Sequence, residues 1–176
     1  MVYTDWNYND YMEYINEPKH LVNPVRDLWL FDFTPLEIAT KTPAWLIPLA
    51  YIPVMYWCWT QVPEDHSVAF NCFLFVLGFI NWTTVEYGLH RFIFHMEDKG
   101  YFVKNRYFYV AQFLVHGIHH AFPNDHYRIV FPPILGYPAW YLVFEKGYKN
   151  ILPSYAHYMM TIGTTVGYIL YDSIHY

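Results

Sequence analysis

The sequence predicts an all-α integral membrane protein. About four transmembrane helices form two hairpins beneath a His-rich cap on the cytosolic side. Three observations carry this reading. Only 14% of the 176 residues are charged, against about 25% in ordinary soluble domains. Those charges are segregated, because residues 44–62, 67–85, 129–144 and 151–171 contain no Asp, Glu, Lys or Arg. Finally, Trp45, Trp57, Trp59, Trp82, Tyr148 and Tyr171 stand near the ends of the apolar runs, where an interfacial aromatic belt belongs.

The first, second and fourth runs approach the length of about 20 residues that crosses a hydrocarbon core. The third is shorter and carries Pro132, Pro133 and Pro138, so a kinked or partly inserted segment is expected there. The basic residues of 1–43 and of 86–128 place both stretches on the positive, cytosolic side, whereas Pro63-Glu64-Asp65-His66 has none. Lys146 and Lys149, in the turn at 145–150, run against this pattern. Residues 1–43 read as an N-terminal amphipathic or interfacial segment, and 44–176 as the membrane domain. The N-terminus lacks the basic region and apolar core of a signal peptide.

Composition excludes several classes of function. A net charge of −5 offers no footprint for a nucleic-acid partner. Two cysteines, Cys58 and Cys72, support neither a disulfide framework nor a thiolate zinc site. With 23% aromatic residues the chain has far too much apolar surface to stay disordered.

Histidine carries the chemistry. Of 10 His, five fall between positions 90 and 120. His116, His119 and His120, in HGIHH, share one helical face, and three imidazoles there suit a metal better than a packed core. Gly117 between them allows another element close to the backbone. His90 and His95, in HRFIFH, stand about 140° apart on a straight helix. They meet at one centre only where the helix ends or bulges between them. Glu86, one turn before His90, is a candidate acceptor that orients its ring, and Asp172 is the same for His175, three residues later. His157 reads as a buried hydrogen-bonding residue, and His20, His66 and His126 as surface or turn residues. The paired Glu-x-x-His motifs of the carboxylate-bridged di-iron type do not occur, Glu17-Pro18-Lys19-His20 being a single match to that spacing. An all-His cage holding two neighbouring metals at a membrane surface suits oxygen activation against an unactivated C–H bond.

HRFIFH, HGIHH and the following AFPNDHYRIVFPP resemble the fatty acid hydroxylase superfamily, and within it the fatty acid (sphingolipid) 2-hydroxylase branch. The stretch EYINEPKHLVNPVRDLWLFDFTPLEIATKTPAWLIPLAYIPVMYWCW and the closing VGYILYDSIHY resemble that branch too. The resemblance implies an endoplasmic reticulum membrane protein that hydroxylates a membrane lipid's acyl chain. Dioxygen and an electron-donating cytochrome would serve the reaction. It also implies two iron ions, replaceable by zinc in a purified sample, on His90, His95, His116, His119, His120 and His175. Asp125, Tyr127 and Arg128 match the signature after the second box, where they shape the substrate entrance or pin the loop. Family members continue past the last membrane helix with further His, so an ending at His175-Tyr176 leaves a two-metal cage short of ligands. The expectation is therefore a hydroxylase. Its alternative is a catalytically incomplete subunit, with one metal or none, serving other membrane subunits in an organelle such as the mitochondrial inner membrane.

Overall fold

The computed structural model describes residues 6–23, 27–99, 101–153 and 155–175, with the His175 side chain outside the description. Every regular element among them is helical. They group into two compact units that do not follow chain order: residues 1–43 with 87–131, and residues 44–86 with 132–176.

In the first unit, helix α1 (Tyr8–Asn16) starts at a capping box. The Asn7 side chain accepts from the Asn9 and Asp10 amides at 2.9 and 3.1 Å, and Asp10 reaches back to the Asn7 amide. Such reciprocal bonds satisfy N–H groups that the helix itself leaves without partners. Tyr11 and Ile15, four apart and therefore on one face, enter the core completely. Tyr11 stacks on Tyr109 with ring centroids 5.2 Å apart and on Phe102 at 6.4 Å. Phe113, Ile118, Ala121 and Phe122 complete this core. They come from the π-helical turn Phe113–Gly117, α6 (Ile118–Ala121) and the residue after it, while Tyr109 comes from α5 (Arg106–Gln112). The segment before residue 43 is thus packed against the helix that bears HGIHH.

A second fastening is ionic. Within α2 (Thr34–Ala39), Glu37 is buried and takes Arg128 at 2.5 Å and Lys41 at 2.8 Å, while the Leu30 and Phe31 amides donate to its other oxygen. Arg128 also reaches Asp125 at 2.5 Å. Burial alone pushes the Glu37 carboxyl up, but Lys41, the two amides and Arg128 together hold it below its ordinary value. Backbone bonds run parallel to this network, from the Thr42 amide to the Tyr127 carbonyl and from the Lys19 amide to the Ala121 carbonyl.

The second unit contains α3 (Leu46–Thr60), most of α4 (Val68–Leu89), α7 (Pro133–Trp140), a π-helical stretch Tyr141–Tyr148, the short α8 (Lys149–Ile151) and α9 (Ala156–His175). Helices α4 and α9 touch backbone to backbone. A Cβ on Gly78 would overlap the Met160 carbonyl, and one on Gly163 would overlap that of Phe75. The Thr164 hydroxyl donates to the Gly78 carbonyl at 2.9 Å, sealing the crossing. Small residues and a buried hydroxyl are the means by which helices associate where apolar burial offers no driving force. Outward from these helices point Leu49, Ile52, Phe73, Val76, Ile80 and Leu142, all exposed.

The all-α class is as the sequence indicates. One helix among the described residues, Val68–Phe94, is long and apolar enough to cross a membrane. Helix α3 has 15 residues. The third run begins at Pro133, a favoured first helical position, contains Pro138, and gives way to the π-helical stretch. Helix α9 has 20 residues, but His157, Thr161, Thr164, Thr165 and Asp172 interrupt its apolar character.

Candidate metal centre

Two π-helical turns build the centre. The first, His90–Phe94, prolongs α4, and the His95 amide bonds the His90 carbonyl at 3.0 Å. That i→i+5 closure is what a π turn is. It brings a pair of residues spaced by five onto one side, which a straight helix denies them. The ring centroids of His90 and His95 are 4.6 Å apart. The second turn, Phe113–Gly117, contains His116, and His119 and His120 follow on α6.

The imidazoles converge. One ligand nitrogen from each of His90, His95 and His116 lies within 4.8 Å of the others. The Nε2 atoms of His95 and His116 are 3.3 Å apart, and those of His116 and His120 are 3.0 Å apart. Metal–nitrogen bonds of about 2.0–2.1 Å in a tetrahedral field set two ligand nitrogens about 3.4 Å apart. The observed spacing fits a shared ion. Burial, and then the neighbouring His120, His95, His90 and His119, push His116 down to about 2, so its ring is neutral. A neutral imidazole is the ligand form. The His119 ring lies farther out, 5.9 Å from His116 and 5.6 Å from His120.

A carboxylate absent from the sequence-based candidates stands behind the cluster. Glu97, only 5% exposed, meets His95 Nδ1 through Oε1 at 3.0 Å. Its Oε2 accepts from Gln112 Nε2 at 3.1 Å, and that same nitrogen donates to the Phe94 carbonyl at 2.8 Å. The Tyr8 hydroxyl donates to the Glu97 carbonyl. The available signal was an acid two residues beyond the first box. Gly117 supplies the close approach that its position suggests: a Cβ there would lie 2.9 Å from both Gln112 Oε1 and the Tyr11 hydroxyl.

In the second unit, Glu86 accepts a hydrogen bond from Tyr171, and Asp172 accepts one from Tyr168. His175 ends α9. Asp125 and Arg128 join the buried ionic network, and the Tyr127 amide donates to Asp125 Oδ1 at 3.2 Å. His157 is fully buried, and His20 pairs with Asn124 at 2.9 Å. Beside the imidazoles an apolar cavity of about 130 Å³ opens between Ile93, Phe94, Phe108, Val115 and His116.

The chain is 36% identical to the ceramide very long chain fatty acid hydroxylase SCS7 of Saccharomyces cerevisiae, across 98% of this chain and 44% of the yeast protein. It is 33% identical to the dihydroceramide fatty acyl 2-hydroxylase FAH1 of Arabidopsis thaliana, across 95% of this chain and 67% of the plant protein. The chain belongs to the fatty acid 2-hydroxylase family. The solved structure described as full-length scs7p, with only the hydroxylase domain visible, superposes with a TM-score of 0.80 at 36% identity. It covers 98% of this chain and 63% of that one. No family model matches the chain. It spans about half the length of several of its relatives, including 47% of the rat fatty acid 2-hydroxylase.

Proposed function

We propose that the chain carries the catalytic region of an oxygen-dependent hydroxylase acting on the acyl chain of a membrane lipid of the ceramide class. The approach of the His95, His116 and His120 Nε2 atoms to 3.0–3.3 Å is the observation that carries this reading. So dense a set of nitrogen donors in one small volume suits a cation between them. His90, His95, His116, His119, His120 and His175 are the candidate ligands, with iron as the resident metal at two positions. Bound iron would supply the activation of dioxygen needed to attack an unactivated C–H bond.

The chain's own residues would do the rest. Neutral imidazoles hold the ions without adding negative charge. Ile93, Phe94, Phe108 and Val115 offer an apolar wall beside His116, suited to an alkyl segment and hostile to water. The network of Glu37, Asp125 and Arg128, with the Tyr127 backbone, pins the loop after the second box to the N-terminal segment. Residues 1–43 form an interfacial segment in this reading, and 44–176 the membrane domain. Four spans, built on α3, α4, α7 and α9, place the exposed apolar side chains of the second unit in lipid. The endoplasmic reticulum is the proposed membrane, and a cytochrome the proposed electron donor.

The test is expression in cells lacking their own acyl 2-hydroxylase, with mass spectrometry of ceramides and metal analysis of the purified chain. Hydroxylated acyl chains and bound iron are expected, and both fall with His119→Ala. Normal turnover by His119→Ala would overturn the assignment of the catalytic ligands.

A further inference from the structure

Among the cluster imidazoles, His95 is fixed from behind as well as in front. Its Nδ1 faces Glu97 Oε1 at 3.0 Å, while its Nε2 faces His116 Nε2 at 3.3 Å. A carboxylate accepts and does not donate when ionised. The proton of a neutral His95 ring therefore belongs on Nδ1, which leaves the Nε2 lone pair aimed at the cluster. Glu97 is itself held by two further residues, one of them anchored in turn. Gln112 Nε2 donates to its other oxygen, the Tyr8 hydroxyl donates to its carbonyl, and Gln112 is anchored to the Phe94 carbonyl inside the first π turn.

We propose that Glu97 is a positioning residue: it takes the Nδ1–H of His95, fixes the ring's tautomer and rotation, and presents Nε2 to the metal, with Gln112 as the brace for the carboxylate. The proposal rests on the metal-centre reading for its purpose, but the tautomer it assigns belongs to this chain with or without metal. Glu86 and Asp172, the carboxylates picked out by position in the sequence, each meet a tyrosine. Glu97 is in contact with a cluster imidazole through His95 Nδ1.

The experiment uses the whole 176-residue chain in detergent. Imidazole 15N spectra of the metal-free chain report where His95 carries its proton. Co²⁺ titration against a competing chelator, followed by the visible absorption of the bound ion, reports affinity and geometry. The native ring is expected to be protonated on Nδ1. Glu97→Leu removes the acceptor and is expected to weaken Co²⁺ binding roughly 10–100-fold, the usual cost of losing such a partner. Glu97→Gln loses the charge but keeps an oxygen that accepts Nδ1–H, so it is expected to recover part of that loss and to keep the native tautomer. A native His95 protonated on Nε2, or a Glu97→Leu variant with native affinity and spectrum, overturns the proposal. If the native chain takes up no Co²⁺, the metal-centre reading fails while the 15N spectrum still decides the role of Glu97. If Glu97→Leu does not fold, the tautomer in the native chain and in Glu97→Gln decides it: protonated Nδ1 in both supports, and protonated Nε2 in the native chain refutes.

Discussion

Replacing Arg128 by Met tests whether the buried ionic network holds the first unit together. The Arg128 guanidinium is 3% exposed, and both of its carboxylate partners are 1% exposed, each 2.5 Å away. Removing one member of a buried pair strands the other in a low-dielectric interior, at a typical cost of about 3–5 kcal/mol. Glu37 keeps Lys41 at 2.8 Å and two backbone amides, whereas Asp125 keeps only the Tyr127 amide among its described partners. The lower end of that range, about 3 kcal/mol, is therefore expected. At about 2–4 °C per kcal/mol for a chain of this size, Tm falls by about 6–12 °C. The assay is thermal unfolding in detergent followed by near-ultraviolet circular dichroism, to which the many aromatic rings contribute. Adding Asp125→Asn removes the stranded charge and keeps an acceptor for the Tyr127 amide, so the double variant recovers part of the loss. A single variant melting within about 2 °C of the native chain would refute the reasoning.

Three further outcomes follow from the same geometry. The Glu37 carboxyl is held below its ordinary 4.5 in the folded chain, so its contribution to stability is complete above pH 4.5 and fades as pH falls through the folded value. Glu37→Gln is expected to be less stable than the native chain at neutral pH, with the gap narrowing below pH 4.5, and an unchanged gap in acid unfolding curves would contradict it. In Gly163→Ala the new methyl meets the Phe75 carbonyl, a backbone atom that cannot turn aside. Overpacking of about 1–3 kcal/mol or more should lower the midpoint of SDS-induced unfolding, and a native midpoint would speak against the close crossing of α4 and α9. Gly117→Ala presses on Gln112 Oε1 and the Tyr11 hydroxyl at 2.9 Å. Because Gln112 braces Glu97, weaker Co²⁺ binding with little loss of helicity is expected, and undiminished binding in the chelator titration would break that link.

The sequence on its own determined the all-α class, the helical course of the second apolar run, and the two His boxes. Those properties are local: hydropathy along 68–89 and the spacing of HRFIFH and HGIHH need no distant partner to be legible. Even the requirement for a bulge between His90 and His95 follows from the angle subtended by five residues. Tertiary structure decided that Glu97 meets His95. Glu97 lies past the end of the π turn, where helical periodicity does not link it to His95, and Gln112 from another helix braces it against that ring. The same holds for Arg128, whose partner Glu37 is 91 positions away. Periodicity reports only neighbours within a turn or two. A buried charge is paired by whatever the folded chain brings within about 3 Å of it, and that depends on long-range packing which no local pattern encodes.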